Sequence, residues 1–288
     1  MKRILLTGGA GFFCTRFTER YKNEYEILSL GRQDLDITDV DKTKTIFNSF
    51  KPDYVIHAAA IAVTDFCNKN PEIAYKINVE GSVNIAKITK EVGAKLIFIS
   101  SEQVFNGNKE RGPYDENHKP VPNTVYGDNK LEAEKLLKEI IEELWIVRFT
   151  WLFDLPQKGL NMASNIIWEV VSSLIKGEEI KASPDEFRGM TYANEMVENF
   201  KRIFDIPYGT YHLGSKNDFS RYEVVEHILT TMGLQHRIKD VVIKDSEKYK
   251  DLPRDVRLNT DKAENYGLKF SSTKEGLSKC IQDYKLKF

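Results

Sequence analysis

Residues 5–17, LLTGGAGFFCTRF, decide the fold of this chain. The stretch leaves a short apolar run, passes through glycines and enters a segment with helical spacing, which predicts a strand, a tight turn and a helix. Gly8 allows the turn, and Gly11 lets the backbone approach a pyrophosphate at the helix N-terminus. Cys14 stands where a third glycine would pack the helix against the strand. We predict a dinucleotide-binding loop with its anion contacts intact; the alternative is a purely structural turn.

The same alternation of strand and helix continues through the first half of the chain. Apolar runs rich in β-branched residues, typical of buried parallel strands, lie at residues 3–7, 26–30, 54–57, 95–100 and 145–149. Helical spacing is found at residues 11–22, 39–49, 71–92 and 124–143. This order predicts an α/β fold, a doubly wound parallel sheet of the Rossmann type with helices on both faces.

The second half is less regular and predicts a smaller, interleaved C-terminal α/β part. Helical patterns lie at residues 161–176, 190–204, 221–232 and 274–285, with a short strand at 209–213. We expect residues 1–150, with a later return near 190–213, to bind the dinucleotide. Residues 151–288 are expected to be mainly substrate-binding.

Composition excludes several classes of protein. The chain has 288 residues, 41% hydrophobic and 30% charged, with a formal net charge of -1. Near-neutral charge speaks against a nucleic-acid or membrane-surface binder, and no apolar run is long enough to span a bilayer. The three cysteines, Cys14, Cys67 and Cys280, show neither metal-ligand spacing nor an even disulfide framework. We therefore expect a reduced, cytoplasmic protein without a metal site.

The end of the second predicted strand bears on the choice of cofactor. An acidic residue there would hold the ribose hydroxyls of NAD, but Arg32 stands in its place. A guanidinium suits a 2′-phosphate, which favours NADP(H) over NADH; the alternative is an ordinary surface arginine. Asp36 and Ile37 follow closely and are expected to contact the adenine.

Tyr126 and Lys130 stand four residues apart in YGDNK, so a helix places them on one face. A free tyrosine has a pKa of about 10, and a nearby ammonium would lower it. Ser101 ends a predicted strand, at the edge of a parallel sheet where ligands bind. The pattern indicates a proton-transferring tyrosine beside a hydroxyl that holds a carbonyl; the alternatives are a solvated helix pair and a turn-forming serine.

Together these stretches resemble the extended short-chain dehydrogenase/reductase superfamily, and within it the dTDP-4-dehydrorhamnose reductases. The resemblance runs nearly end to end. It rests on TGGAGFF, LDITD, KPDYVIHAAA, NPEIAYKINVEGSVNIA, ISSEQVFNG, YGDNK followed by LEAEK, VRFTWLF, FRGMTYANEM, GTYHLGS and RLNTDKA.

The resemblance implies a hydride transfer from NADPH or NADH to a 4-keto nucleotide sugar. It implies that Ser101, Tyr126 and Lys130 are catalytic and that Asn78 braces the site. It implies cofactor contacts from Gly8, Gly11, Phe12, Arg32, Asp36, Ile37, Ala58, Ala59, Ala60 and Lys130. Trp151 matches a tryptophan that faces the sugar in the reductases; the alternative is a core aromatic residue. Relatives are monomers or homodimers.

Besides Cys14 and the stretch 251–260, which only partly matches, two positions after the catalytic serine depart from the family pattern. Reductases usually have Asp and Tyr after the catalytic serine, and the related dehydratases have Asp and Glu; this chain has Glu102 and Gln103. An amide cannot act as a base at neutral pH, which speaks against a dehydratase. The missing tyrosine, which reductases use near the substrate, leaves the sugar open. We expect Glu102, Gln103 and Trp151 to contact substrate, with Arg254 and Arg257 on a diphosphate.

Three functions follow from these residues. The first is an NAD(P)H-dependent reductase of a 4-keto nucleotide sugar, and the second is an NAD(P)-dependent nucleotide-sugar epimerase on the same scaffold. The third is a non-catalytic protein resembling the regulatory subunit of methionine adenosyltransferase, which binds a partner enzyme. The intact set of Ser101, Tyr126 and Lys130 favours an enzyme.

Overall fold

The computed structural model describes residues 1–286, and its contacts divide the chain into two units. Unit 1 comprises Met1–Gly107, Lys119–Phe149 and Ile203–Tyr211, and unit 2 comprises Asn108–His118, Thr150–Arg202 and the chain from His212 onward. The assignment of cofactor binding to one part and substrate binding to the other stays a prediction.

The strands and helices of the described residues are as follows. The strands are β1 (Arg3–Thr7), β2 (Glu26–Leu30), β3 (Tyr54–His57), β4 (Lys95–Ser101), β5 (Leu144–Phe149), β6 (Trp151–Phe153), β7 (Ile180–Ala182), β8 (Glu186–Phe187), β9 (Met190–Tyr192), β10 (Gly209–Leu213), β11 (Val242–Lys244) and β12 (Arg254–Asp255). The α-helices are α1 (Phe12–Tyr21), α2 (Val40–Phe50), α3 (Thr64–Lys69), α4 (Pro71–Tyr75), α5 (Gly81–Glu91), α6 (Val125–Ile140), α7 (Ile166–Lys176), α8 (Ala193–Phe200), α9 (Arg221–Thr231), α10 (Ile238–Val241), α11 (Asp261–Glu264) and α12 (Thr273–Asp283). A π-helical turn at Lys76–Glu80 joins α4 to α5, and 3₁₀ turns lie at Glu102–Phe105, Lys201–Asp205 and Gln235–Arg237.

The central parallel sheet has the order β2-β1-β3-β4-β5-β10. The chain runs outward from β1 to β2 and then returns to the other side of β1 to add β3, β4 and β5. The order therefore reverses between β1 and β3, where doubly wound sheets bind ligands beyond the strand carboxyl ends. Thr7 and His57 pair in register at the two ends that flank this point. The predicted fold class is confirmed.

Each unit has its own apolar core. In unit 1, buried residues such as Phe47, Ile85 and Phe98 pack between the sheet and its helices. In unit 2, Phe153, Val225 and Leu277 belong to a separate buried cluster. Because both faces of the sheet are covered, β5 is buried at every position, which is why the sequence shows a continuous apolar run there.

Two predicted helices differ from the structure. The helical pattern at 71–92 is interrupted by the π turn, whose residue Asn78 is buried and hydrogen-bonded to the loop after β3. The pattern at 190–204 begins with β9, because Met190–Tyr192 pairs with Trp151–Phe153 and is fully buried. Within residues 1–286, no helix is both long enough and apolar enough to cross a membrane.

Candidate active site

The glycine-rich loop between β1 and α1 has the geometry of an anion-binding turn. Gly8 has φ +71°, and a Cβ on it would lie 2.7 Å from the Ala59 backbone nitrogen, so only glycine fits. Gly11 is the N-cap residue of α1 and supplies no side-chain cap. The N-terminus of this helix therefore has no side-chain cap at Gly11, which suits an anion-binding helix N-terminus.

Cys14 lies inside α1 and is buried. Its Sγ donates to the Thr7 carbonyl oxygen over 4.0 Å, so the thiol points at β1. Burial raises the pKa of Cys14 to about 12, which keeps the thiol neutral. Phe12 precedes it at the start of the helix, and the Arg16 guanidinium lies 4.0 Å from the Phe12 ring centroid.

A cavity of about 340 Å³ opens beside this loop in unit 1. It brings together six residues predicted to bind cofactor: Gly8, Arg32, Asp36, Ile37, Ala59 and Ala60. Among those that the sequence did not indicate are Thr38, Ile61, Ile73, Lys76 and Ile77. Gly11, Phe12 and Ala58 are not among its lining residues, although Ala58 directly precedes Ala59 and hydrogen-bonds the Thr7 carbonyl at 3.2 Å.

Asp36 is an exposed, ionised residue that lines this cavity. Its Oδ1 accepts from the Thr38 amide at 2.9 Å and the Thr38 hydroxyl at 2.7 Å. The Thr38 bonds, assisted by the charges of Lys76 and Arg32, hold the pKa of Asp36 below its usual value. Asp36 therefore stays negative and its Oδ1 is committed to the turn.

A buried hydrogen-bonded chain supports the loop that follows β3. Ser82 donates its hydroxyl proton to the Asn78 carbonyl at 2.7 Å, so it accepts from Nε2–H of His57 at 2.8 Å. Nδ1 of His57 then accepts from the Thr7 hydroxyl at 2.6 Å. The Asn78 side chain bonds both the amide and the carbonyl of Ile61, at 2.7 and 3.0 Å. These hydrogen bonds thus connect β1, β3 and the π turn.

Burial, together with the nearby Lys130 charge, lowers the pKa of His57 to about 3. The imidazole is therefore neutral at physiological pH. Because each of its nitrogens already has a defined partner, His57 acts as a structural connector between the loops.

The structure brings Ser101, Tyr126 and Lys130 together at the carboxyl end of β4. Ser101 ends this strand, and its side chain is in hydrogen-bond contact with the half-buried Tyr126. Thr124 caps the first turn of α6 by accepting from the Gly127 amide at 3.1 Å, which fixes the start of the helix that carries Tyr126 and Lys130. Nζ of Lys130 donates to the Ile99 carbonyl of β4 at 2.8 Å.

The expectation that Lys130 lowers the pKa of Tyr126 is wrong for this structure. Burial raises the pKa of Tyr126 to about 12; the Ser101 contact lowers it in part, and the Glu102 charge adds to the rise. Lys130 is buried as well, and desolvation lowers the pKa of its ammonium to about 8 despite the opposing charge of Glu134. Desolvation therefore outweighs the spacing of the two residues. Tyr126 is a protonated hydroxyl at neutral pH.

A buried ion pair that the sequence did not indicate lies beneath Lys130. Glu134, one helical turn on in α6, accepts from Arg148 of β5 at 2.9 and 2.6 Å. Ser100 of β4 donates to the same carboxylate at 2.5 Å. Consecutive residues of β4 thus bind Lys130 and Glu134, and the ion pair clamps helix α6 to both strands. Glu134 is part of LEAEK, but the sequence pattern of a helix does not distinguish a buried, paired glutamate from a glutamate that faces solvent.

Glu102 and Gln103 lie in the 3₁₀ turn that follows β4. Glu102 is buried near Tyr126, and the Gln103 amide donates to the Ser101 hydroxyl at 3.2 Å. A Cβ on Gly127 would lie 2.6 Å from the Gln103 carbonyl oxygen, so the missing side chain lets α6 approach this turn closely. Gly127 was not indicated by the sequence, but it is a condition for the contact of Tyr126 with Ser101.

The remaining predicted residues belong to unit 2. Trp151 is half-buried at the start of β6, and the Arg188 and Arg221 guanidinium groups lie 4.3 and 5.5 Å from its ring centroid. Arg254 pairs with the buried Glu186 at 2.5 Å.

Arg257 is held by several protein groups. Its Nε and Nη2 donate to the two oxygens of Asp255 at 3.0 and 2.7 Å, and Nη2 also donates to the Gly112 carbonyl. These bonds fix the guanidinium within the fold, and a contact with substrate stays a prediction. Over residues 1–286, no three His, Cys, Asp or Glu side chains are grouped as a metal site requires.

The sheet order and the Tyr–Lys helix place the chain in the extended short-chain dehydrogenase/reductase superfamily of NAD(P)-dependent oxidoreductases. The chain belongs to the family described as the RmlD substrate binding domain, which matches residues 1–286. The predicted superfamily, and the similarity to dTDP-4-dehydrorhamnose reductases, are thereby confirmed.

Several relatives share most of the chain. The spore coat polysaccharide biosynthesis protein SpsK of Bacillus subtilis is 26% identical over 98% of both chains. The dTDP-4-dehydrorhamnose reductase of Aggregatibacter actinomycetemcomitans is 28% identical over 88% of this chain and 87% of its own. Methionine adenosyltransferase 2 subunit beta of Xenopus laevis is 28% identical over 77% of this chain and 70% of its own.

A solved structure extends the comparison. The crystal structure of dTDP-4-dehydrorhamnose reductase from Bacillus anthracis in complex with NADP superposes with a TM-score of 0.85 at 26% identity. The match covers 98% of this chain and 99% of that chain.

Proposed function

We propose that the protein is an NAD(P)H-dependent reductase of a 4-keto nucleotide sugar, of the dTDP-4-dehydrorhamnose reductase type. The observation that carries the proposal is the grouping of Ser101, Tyr126 and Lys130 at the carboxyl end of β4. Membership of the RmlD family supports the reaction, and the NADP-bound relative supports a nicotinamide cofactor.

The residues of unit 1 fit such a cofactor. The turn at Gly8 and the N-terminus of α1 suit a pyrophosphate, and the cavity beside them offers apolar walls at Ile37, Ile73 and Ile77. Arg32, at the end of β2, supports NADP(H) over NADH. When bound, the nicotinamide would supply the hydride that reduces the ketone carbon.

The side chains supply the proton and hold the carbonyl. Tyr126, whose pKa is about 12, is protonated at neutral pH and would donate its proton to the ketone oxygen. Ser101 would donate a hydrogen bond to the same oxygen. Lys130 would bind the ribose next to the nicotinamide and offset the negative charge left on Tyr126. One hydride and one proton convert the ketone to an alcohol.

The substrate side of the proposal includes Glu102, Gln103, Trp151, Arg254 and Arg257. Glu102 and Gln103 support it by their place in the turn next to Ser101. Trp151 supports it because its ring is half-buried, with cations near it, as a sugar- or phosphate-facing aromatic requires. Arg254 and Arg257 are both proposed to meet a diphosphate; each guanidinium also pairs with a protein carboxylate, Glu186 and Asp255 respectively.

A second candidate function is a non-catalytic regulatory subunit. It is favoured by the similarity to methionine adenosyltransferase 2 subunit beta, which extends over 77% of this chain. A protein of this kind would bind the dinucleotide without turning over a sugar.

The test compares wild type with Tyr126→Phe in NADPH oxidation against dTDP-4-dehydrorhamnose and other 4-keto nucleotide sugars. We expect the substitution to lower the rate by about 10²- to 10⁴-fold while NADPH binding, followed by fluorescence, is retained. The control Tyr75→Phe removes an exposed phenol of α4 and should leave both readouts unchanged.

Other outcomes contradict the reductase. Equal rates in wild type and Tyr126→Phe would exclude the proposed proton donor. Conversion of the sugar without net NADPH oxidation, with cofactor retained on the purified protein, would indicate an epimerase. NADPH binding without turnover, together with binding to a methionine adenosyltransferase catalytic subunit, would support the second candidate.

A further inference from the structure

We propose that Lys76 and Arg32 together bind the 2′-phosphate of an NADP-type cofactor, which makes Lys76 a second determinant of cofactor preference. The inference rests on the proposed function and extends it to a residue outside the glycine-rich loop and the β2 end. Lys76 is the first residue of the π-helical turn and is separated from Arg32 along the chain by four elements of unit 1, α2, β3, α3 and α4.

Both cations line the same cavity. Arg32 lines the cavity from the end of β2, and Lys76 lines it from the π turn. The cavity has a volume of about 340 Å³ and is also lined by the loop at Gly8. The apolar side chains of Ile37, Ile73 and Ile77 line it as well, which provides a wall for a flat base. A nucleoside bound there would have its ribose edge within reach of charged groups.

The charge balance of the cavity favours an anion. Its ionisable lining residues are Arg32, Lys76 and Asp36, two cations and one carboxylate. Oδ1 of Asp36 is already committed to the amide and hydroxyl of Thr38. The charges of both cations contribute to lowering the pKa of Asp36, which lines the same cavity. A doubly charged phosphate would meet a net positive lining.

Neither cation is used elsewhere in the fold. Among residues 1–286, no carboxylate lies within ion-pair distance of Arg32 or Lys76, whereas Arg3 and Arg20 of the same unit pair with Glu26 and Glu24. The acidic group nearest the β2 end in sequence, Asp34, accepts from the Gly31 amide at 2.8 Å. Residues 30–33, Leu-Gly-Arg-Gln, contain no carboxylate, so the acidic residue that binds the two ribose hydroxyls in NAD enzymes is replaced at the end of β2.

The test measures binding of 2′,5′-ADP and of 5′-ADP to the full-length protein by isothermal titration calorimetry, without turnover. We expect wild type to bind 2′,5′-ADP more tightly. Lys76→Gln should weaken the binding of 2′,5′-ADP about five- to tenfold and change the binding of 5′-ADP by less than about twofold. The reason is that the substitution removes only the attraction between the lysine ammonium and the 2′-phosphate. The double variant Arg32→Gln/Lys76→Gln should lose the preference.

The control Lys69→Gln removes an exposed lysine of α3 that does not line the cavity, and should leave both affinities as in wild type. Equal weakening of both ligands by Lys76→Gln, or no weakening, would overturn the inference. If wild type binds the nucleotides but shows no preference for 2′,5′-ADP over 5′-ADP, the inference is overturned and the proposed function is not. Failure to bind any of these nucleotides would overturn the proposed function with it.

Discussion

The proposed phosphate-binding end of unit 1 is built from backbone and exposed side chains, whereas the proposed reactive end is built from buried charge. At the first end, Gly8 and the amides of α1 shape the turn, and Arg32 stands in water. At the second, Lys130 is desolvated above the ion pair of Glu134 with Arg148. A backbone site tolerates side-chain changes at positions other than its tight glycines, because its donors remain. A buried network does not, because each deletion leaves a charge without its partner.

The largest effect is expected from Arg148→Met, which leaves the Glu134 carboxylate buried without its cation. We expect the free energy of unfolding to fall by about 3–5 kcal/mol in urea titrations. Arg20→Met is the matched control, because it breaks an exposed pair with Glu24 and should cost less than about 0.5 kcal/mol. A loss below about 1 kcal/mol for Arg148→Met would show that the reactive end does not depend on its buried pair.

The second effect concerns the pH dependence that His57 gives to stability. Its folded pKa is about 3 and an unfolded histidine titrates near 6.5, so the unfolded state binds more protons below pH 6.5. The contribution of His57 is complete above pH 6.5 and is lost as pH falls toward 3, by about 2 kcal/mol at pH 5. His57→Gln should flatten this slope between pH 7 and 5, and His236→Gln, at an exposed site, should not. If the unfolding free energies of His57→Gln and wild type depend on pH in the same way, His57 is not held neutral in the folded protein.

A third, smaller effect is expected at Gly127. The added methyl of Gly127→Ala would meet the Gln103 carbonyl oxygen at 2.6 Å and push α6 from the turn that carries Glu102. We expect a net loss of about 1–2 kcal/mol in unfolding free energy, since overpacking outweighs the helix preference for alanine. Gly276→Ala is the control: its methyl meets Phe153 at 3.6 Å, so stability should hold or rise. Unchanged stability of Gly127→Ala would show that the close approach is not required.

The smallest effect is expected at the phosphate-binding end. Cys14→Gly restores the packing glycine of the motif but leaves Gly8 and Gly11 as they are. NADPH affinity, measured by fluorescence titration, should change by less than about tenfold, or 1.4 kcal/mol. A larger gain would show that the thiol impairs the loop, and would favour the non-catalytic candidate.

Most of unit 1 could be predicted from sequence because its inner strands, such as β1, β3 and β5, are buried along nearly their whole length. The apolar runs at 3–7, 26–30 and 54–57 coincide with β1, β2 and β3. The two- and three-residue strands of unit 2, such as β8 and β12, could not be found, because runs this short carry no periodicity.

The candidate site divides in the same way. Residues that bind through backbone geometry or helix spacing, such as Gly8 and Tyr126, leave a pattern in the sequence. Glu134, Arg148 and Lys76 leave none, because a charged residue in a helix or strand looks alike whether it faces water, a cavity or an ion pair. The prediction that Lys130 lowers the pKa of Tyr126 is wrong for a related reason: the burial that raises this pKa cannot be read from the sequence.

The π turn at Lys76–Glu80 has a consequence for how one helix serves two surroundings. An extra residue in a turn advances every following side chain by about 100° around the axis. The helical segment therefore changes phase between α4 and α5: Ile73 of α4 lines the cavity, and Ile85 of α5 belongs to the apolar core. Removing one residue from the turn would restore a single phase, so the contacts made before the turn and those made after it could not both be kept.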